Sequence, residues 1–326
     1  MKNFFYKLFL FILYYFFISS LIFFFGYYSI INEKIYKNSI INAIQKSIYF
    51  KGGYRNIWKN QKECVKFDYL LLYVPKKGTC NFKNLEFDTK LTFDETTRVH
   101  QSYSQSQNNK NNAIAVLGDS LAMGWGVNDD ETYSAIIEKN IKKKVYNQGV
   151  PSYGTVRQVK RFKISNIIDK TDTVIVHYNL NDLNENQTLD INKLYKNESP
   201  DLIFEKQDID TKWLLRQWKR SFRVILNEIK KLLFHNIAGK IKIDLNIHLQ
   251  KVEDILYNNL NLENKRFIIL FIQEPNMTLT NELKKSPRKN IEYLIIKLEK
   301  NSFFIIDEHL NKFGHKEVAQ RIEDIL

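Results

Sequence analysis

Cysteine is nearly absent from this chain, with two among 326 residues, and proline and glycine are scarce at five and eleven. So few cysteines exclude a disulfide-dense scaffold, and so little proline and glycine exclude a collagen-like chain. Acidic residues fall short of basic ones, 36 against 49, which leaves a formal net charge of +13 at pH 7. That excess does not point to nucleic acid. The basic residues are mostly lysine and are spread along the whole chain. No zinc-finger spacing, RNA-binding signature or basic-region heptad concentrates them. No internal repeat is present, and no His, Cys, Asp and Glu cluster has metal-ligand spacing, so no metal or other cofactor is expected. Apolar side chains are plentiful: 44% of residues are hydrophobic and 14% aromatic, which excludes a disordered chain and a coiled coil. The length suits two ordinary units, or one α/β domain with extras.

Charge is also missing from Leu8 to Ile31, where most positions are Phe, Leu, Ile or Tyr. As a helix this stretch is roughly 36 Å long, enough to cross a bilayer core. It ends in Phe25-Gly26-Tyr27-Tyr28-Ser29, without the small-residue pair of a cleavage site, so residues 1–31 read as an uncleaved transmembrane anchor. Lys2 and Lys7 before the span balance Lys34 and Lys37 after it, so the flanking charges leave the orientation open. Cys64 and Cys80 bracket a strand-like stretch, Phe67–Val74. A disulfide between them would suit an oxidising compartment and contribute about 3 kcal/mol. The expectation is a single-pass membrane protein with its main domain outside the cytoplasm, on the periplasmic side in a Gram-negative cell.

Residues 32–112 read as a helical stalk followed by a strand-containing segment with a turn at Lys76–Thr79, and 101–112 as an exposed Gln, Ser and Asn loop. From Ala113 to the end, strands and helices alternate, which implies a parallel sheet covered on both faces. Strands are expected at 113–117, 144–146, 173–178, 266–272 and 303–306, and helices at 130–141, 155–169, 280–300 and 314–326. Residues 183–262 form a helical insertion. Within it Leu214, Trp218, Phe222, Ile225, Ile229 and Leu232 share one face, and Arg216, Lys219, Arg220, Arg223, Lys230 and Lys231 hold much of the rest. Such a helix lies on anionic lipid, closes over a site as a lid, or packs on the domain with a solvated basic face.

Function in a parallel sheet belongs at the carboxyl ends of its strands. Those ends read Gly118-Asp119-Ser120, Asn147-Gln148-Gly149, Asn179-Leu180-Asn181-Asp182 and Asp307-Glu308-His309, each polar after an apolar run. A serine hydroxyl needs a base to become a nucleophile, and His309 is the candidate, with Asp307 to orient its ring. The N–H groups of Ser120 and Gly149 and the Asn181 amide are candidate oxyanion donors. His177 and His315 read as structural, and Asp119 and Asp182 as hydrogen-bonding residues near the site.

These four blocks, with Gly124-Trp125-Gly126-Val127 after the first and Asn311 and Gly314-His315 after the last, resemble the SGNH, or GDSL-type, hydrolase superfamily. The longer pattern is similar to a membrane-anchored bacterial subgroup linked to surface polysaccharide modification. The resemblance covers residues 113–182 and 303–326. It implies a three-layer α/β sandwich with a central parallel sheet of flavodoxin-like order. It also implies a Ser120 nucleophile, a His309 base with Asp307 behind it, and an oxyanion hole of Ser120, Gly149 and Asn181. Two positions depart from the family pattern: Asn179 stands where the third block begins with Gly, and Ile306 where the supporting Asp is common. Asp307 or, less naturally, Glu308 then supports the histidine. The implied activity is a membrane-anchored serine esterase on O-acyl, above all O-acetyl, groups of envelope glycans. Its implied partners are an acylated carbohydrate, the lipid bilayer and other polysaccharide-modification proteins. An O-acyltransferase using the same site, a lipid esterase and a non-catalytic scaffold with this fold remain alternatives.

Overall fold

The computed structural model describes residues 2–99, 112–188, 210–233, 241–260 and 264–326. The expected loop at 101–112 falls almost wholly outside them. Five strands form the central sheet: β5 (Ala113–Gly118), β6 (Val145–Asn147), β7 (Thr171–Tyr178), β9 (Arg266–Gln273) and β11 (Ile291–Lys297). β8 (Ile241–Ile243) and β10 (Met277–Leu279) form a separate parallel pair, and the five run β6-β5-β7-β9-β11, all parallel. Ranked by position in the chain this is the order 2-1-3-4-5, the flavodoxin-like arrangement. Burial of every position of β5, and of every position of β7 except the half-buried Asp172, suits strands covered on both sides.

Alternate residues of these strands feed two cores. Ile114, Val116, Ile175, Ile268 and Leu270 pack against α4 (Tyr133–Ile141) and α9 (Lys312–Glu323) through Ile137, Val318 and Ile322. Ala115, Leu117, Val174, Val176 and Ile269 pack against α5 (Thr155–Ile164) and α8 (Leu245–Asn259) through Phe162, Leu249 and Leu256. The result is a three-layer α/β sandwich in which each fully buried branched side chain contributes about 1.5–3 kcal/mol. Helix α8 is a sheet-covering crossover, so the expected insertion is shorter than 183–262.

Two expectations at the C-terminal end are corrected. Residues 280–300 are not a helix: 280–290 carry no helical turn, and Ile291–Lys297 is the edge strand β11. Pro287 disfavours helix before it, and the β-branched and aromatic run Ile291-Glu292-Tyr293-Leu294-Ile295-Ile296 suits a strand. Residues 303–306 are not a strand either. The Glu86 carboxylate accepts the backbone N–H groups of Ile305, Ile306 and Asp307 at 2.7, 2.7 and 2.6 Å, so those donors are unavailable to a sheet. The histidine therefore sits in a loop between β11 and α9.

The N-terminal region is also more integrated than a stalk. Helix α1 (Lys2–Ile31) is followed by α2 (Ser39–Lys46) and a π-helical turn at Ser47–Lys51, and α2 packs back on α1. Helix α7 (Thr211–Leu233) lies on the same pair: Phe23, Ile30, Ile44, Ile48, Trp213 and Ile225 share one buried cluster. Two hairpins, β1–β2 (Val65–Asp68 and Leu72–Pro75) and β3–β4 (Gly78–Asn84 and Phe87–Phe93), cover the end of the sandwich where Met123 and Trp125 lie. Cys64 and Cys80 are joined by a disulfide that ties the two hairpins together.

Candidate active site

Three of the four blocks lie where the sequence puts them, at the carboxyl ends of β5, β6 and β7. Asp119 caps the four-residue helix α3 (Ser120–Met123), its Oδ1 accepting the Leu121 N–H at 2.9 Å. Its Oδ2 accepts the side-chain amides of Asn179 and Asn181 at 3.3 and 3.1 Å. One carboxylate thus joins the first block to the third. Asn179, the departure from the resembling pattern, is absorbed by this bond. Asp182 takes the Thr155 hydroxyl and the Gln158 amide at 3.0 and 3.1 Å, and burial holds its pKa well above the usual carboxylate range.

Ser120 stands at the first position of α3 with its Oγ 2.8 Å from His309 Nε2. On the other side of the ring, His309 Nδ1 lies 2.6 Å from Asp307 Oδ1. Glu308, between the two, has φ 65°, a left-handed conformation that a non-glycine side chain seldom adopts. It reverses the chain so that Asp307 and His309 meet, and its own carboxylate turns away to pair with Lys46. The support for the ring is therefore Asp307.

Asp307 is fully buried and has three further donors. The Tyr49 hydroxyl donates to Oδ2, and Arg55 approaches with Nε 3.2 Å from Oδ2 and Nη2 3.4 Å from Oδ1. Burial alone would raise the carboxyl. His309, Arg55 and the Tyr49 hydroxyl outweigh it and hold the pKa at about 2, against an ordinary 3.8. Burial first and Asp307 second push the Tyr49 phenol far up, so it stays a donor. Arg55 also lies 4.4 Å over the Trp125 ring, which stacks on His309 at 4.9 Å between centroids and 19° between planes. Glu274 follows β9. Its pKa is raised by burial and then by Glu308.

Gly149 has to be glycine, since a Cβ there would sit 2.3 Å from the Met123 backbone nitrogen. Its N–H donates to Asn147 Oδ1 at 3.0 Å, so as an oxyanion donor it would have to exchange that partner. Asn181 is exposed, and one N–H of its amide goes to Asp119. Among the described residues no His, Cys, Asp and Glu group is arranged to hold a metal ion.

Tyr49, Arg55, Trp125 and Glu86 are the residues around the site that motif reading did not assign. Trp125 lies inside a quoted block. The others come from the N-terminal region and carry no local signal. Arg98 belongs with them: its buried guanidinium bonds the carbonyls of Met123, Gly124 and Val127 at 2.9, 2.7 and 2.7 Å, and so shapes the loop that carries Trp125.

No family model matches the chain, and no curated protein matches it. Among solved structures it is similar to a G-D-S-L family protein from Desulfitobacterium hafniense DCB-2, at 11% identity and TM-score 0.31, covering 66% of this chain and 100% of that one. It is similar to an acetyl xylan esterase from the rumen bacterium Butyrivibrio proteoclasticus, at 12% identity and TM-score 0.33, covering 68% of this chain and 64% of that one. A carbohydrate esterase whose active site displays divergent catalytic and non-catalytic binding functions gives 11% and 0.37, with 67% and 65% covered. The chain spans a little under two thirds of the length of these last two.

Proposed function

We propose that the chain is a membrane-anchored serine esterase of SGNH type that removes O-acyl groups, acetyl above all, from envelope glycans. The observation that carries this reading is the continuous hydrogen-bonded series Ser120 Oγ, His309 Nε2, His309 Nδ1, Asp307 Oδ1 at 2.8 and 2.6 Å. His309 takes the hydroxyl proton as Ser120 Oγ attacks the ester carbonyl, and Asp307 stabilises the imidazolium. The same proton then goes to the departing sugar oxygen, leaving acyl-Ser120. Water attacks the acyl carbon, His309 receives its proton, and the carboxylic acid leaves as Ser120 is restored. The Ser120 N–H, the remaining N–H of Asn181 and, after exchange, the Gly149 N–H are the donors offered to the oxyanion.

The anchor rests on α1, whose Asn3–Ile31 stretch is long and apolar enough to cross a membrane and carries no charge after Lys7. Placement of the domain outside the cytoplasm is supported by the Cys64–Cys80 disulfide, since such bonds persist in oxidising compartments. Fluorophosphonate labelling of the full chain in detergent tests the chemistry without a chosen substrate. Labelling is expected in the wild type and lost in Ser120→Ala and His309→Ala. A folded wild type that takes no label would sink the reading. Acetate release against acetyl transfer to an added sugar then identifies the acceptor as water or a hydroxyl.

A further inference from the structure

The N-terminal helices fix the height of the site as well as its shape. Thirty residues of helix α1 measure roughly 45 Å, against a hydrocarbon core of about 30 Å, which leaves roughly ten residues in excess. The C-terminal half of α1, from Tyr15 onward, is the part wrapped by protein, so the wrap extends past the excess residues toward the bilayer surface. Gln45 Nε2 donates to Ser29 Oγ at 2.8 Å and to Lys34 O at 2.7 Å. Ile44 and Ile48 pack with Phe23 and Ile30. Helix α7 continues the wrap, with Tyr27 against Trp213, Trp218 Nε1 donating to Ser20 Oγ at 3.0 Å, and the Tyr15 hydroxyl donating to Phe222 O at 2.6 Å.

Tyr49 follows Ile48 directly, and its hydroxyl is bonded to Asp307. Gly52, which accepts the Trp213 indole N–H, lies three residues before Arg55. One tyrosine side chain therefore separates the Asp307 carboxylate from a segment lying against the last turns of the membrane helix. The charges around it fit the same height. Lys212, Arg216, Lys219 and Arg223 are exposed on α7. Lys37, Lys46, Lys231 and Lys300 line a groove of about 950 Å³ that reaches Glu308, next to His309; Lys46 pairs there with Glu308 and Lys231 with Glu228, which leaves an excess of two positive charges. Basic side chains gain about 1 kcal/mol each beside an anionic bilayer surface.

We infer that the site works at the bilayer surface, on an acyl ester borne by a membrane-anchored carrier rather than on polymer far from the membrane. The substrate half of this rests on the esterase part of the proposed function, and the height on its membrane-anchor part alone. Both native cysteines are bridged, so a cysteine introduced as Asn301→Cys in the groove takes a dansyl label alone. The labelled full chain is placed in vesicles of phosphatidylcholine and phosphatidylglycerol, with and without a nitroxide on the lipid headgroup. Strong quenching by the nitroxide is expected, and its absence overturns the inference. Acetylated glucosides tethered to a dialkyl lipid by ethylene-glycol spacers read the substrate half. Turnover should fall at least tenfold from the shortest spacer to the longest, and turnover that rises with spacer length overturns the carrier. Quenching with no fluorophosphonate labelling would overturn the esterase and its acyl substrate while leaving the height standing.

Discussion

Replacing Asp307 by Asn keeps the shape and removes the charge that His309, Tyr49 and Arg55 converge on. In the wild type, Oδ1 faces His309 while Oδ2 faces Tyr49 and Arg55. An amide has one oxygen, so either His309 or the Tyr49–Arg55 side meets an NH2 group instead of an acceptor. Two magnitudes follow. The depression from 3.8 to about 2 favours the folded carboxylate by roughly 2–3 kcal/mol, and that share of stability should vanish in Asp307→Asn. Its sign is fixed: the contribution is full above pH 3.8 and is lost as pH falls through about 2, so at neutral pH the variant lacks all of it. For catalysis, a carboxylate about 4 Å from the imidazolium charge is worth about 4 kcal/mol at an effective dielectric near 20, or roughly a 10³-fold loss of rate. Urea unfolding reads the first and the rate of fluorophosphonate labelling reads the second. Glu308→Gln is the control, since its carboxylate pairs with Lys46, and it should label within a few-fold of wild type. If Asp307→Asn labels within tenfold of wild type, or Glu308→Gln is the slower of the two, the support assigned to His309 is wrong.

Acid should destabilise the fold well before Asp307 titrates. His177 and His315 are fully buried, and burial lowers them from 6.5 to about 4 and about 3. Below pH 6.5 the unfolded chain takes up protons that the fold refuses, at a cost of roughly 3 kcal/mol for His177 alone by pH 4, so urea midpoints should drop steeply between pH 7.5 and 5. Gly149→Ala puts a methyl group 2.3 Å from the Met123 nitrogen and should abolish labelling even where circular dichroism shows a folded sheet. Cys64→Ser with Cys80→Ser removes a link across a separation of 16 and should lower unfolding free energy by about 3 kcal/mol, with labelling at saturating probe retained.

The sandwich was legible because its strands are continuous apolar runs with polar residues at their carboxyl ends, a pattern set by burial on both faces. The last strand was not. Ile291–Lys297 mixes polar residues into an edge position, and Phe303–Ile306 is apolar without being a strand because Glu86, some 220 residues earlier, takes its donors. The same distance hid Tyr49 and Arg55. Nothing near Lys51 or Gly53 marks those two as neighbours of a carboxylate, since their role is created by packing between the two ends of the chain. Ser120, Asp307 and His309 could be read because each sits beside small or polar residues that turn the chain at a predictable place. Helix α7 showed its basic face in the sequence, but its partner α1 could be named only once both were placed.

Tyr49 and Asp307 lie 258 residues apart, and Ser120 and His309 lie 189 apart. During synthesis helix α1 and Ser120 emerge well before the His309 imidazole. The Ser120 hydroxyl therefore has no imidazole beside it until residue 309 has been made. Closing so long a loop costs only about 0.6 kcal/mol more per doubling of its length, so the delay is nearly free in stability. On the proposed reading, activity then reports that both parts have been made and have met: a chain cut before Asp307 carries Ser120 without its base.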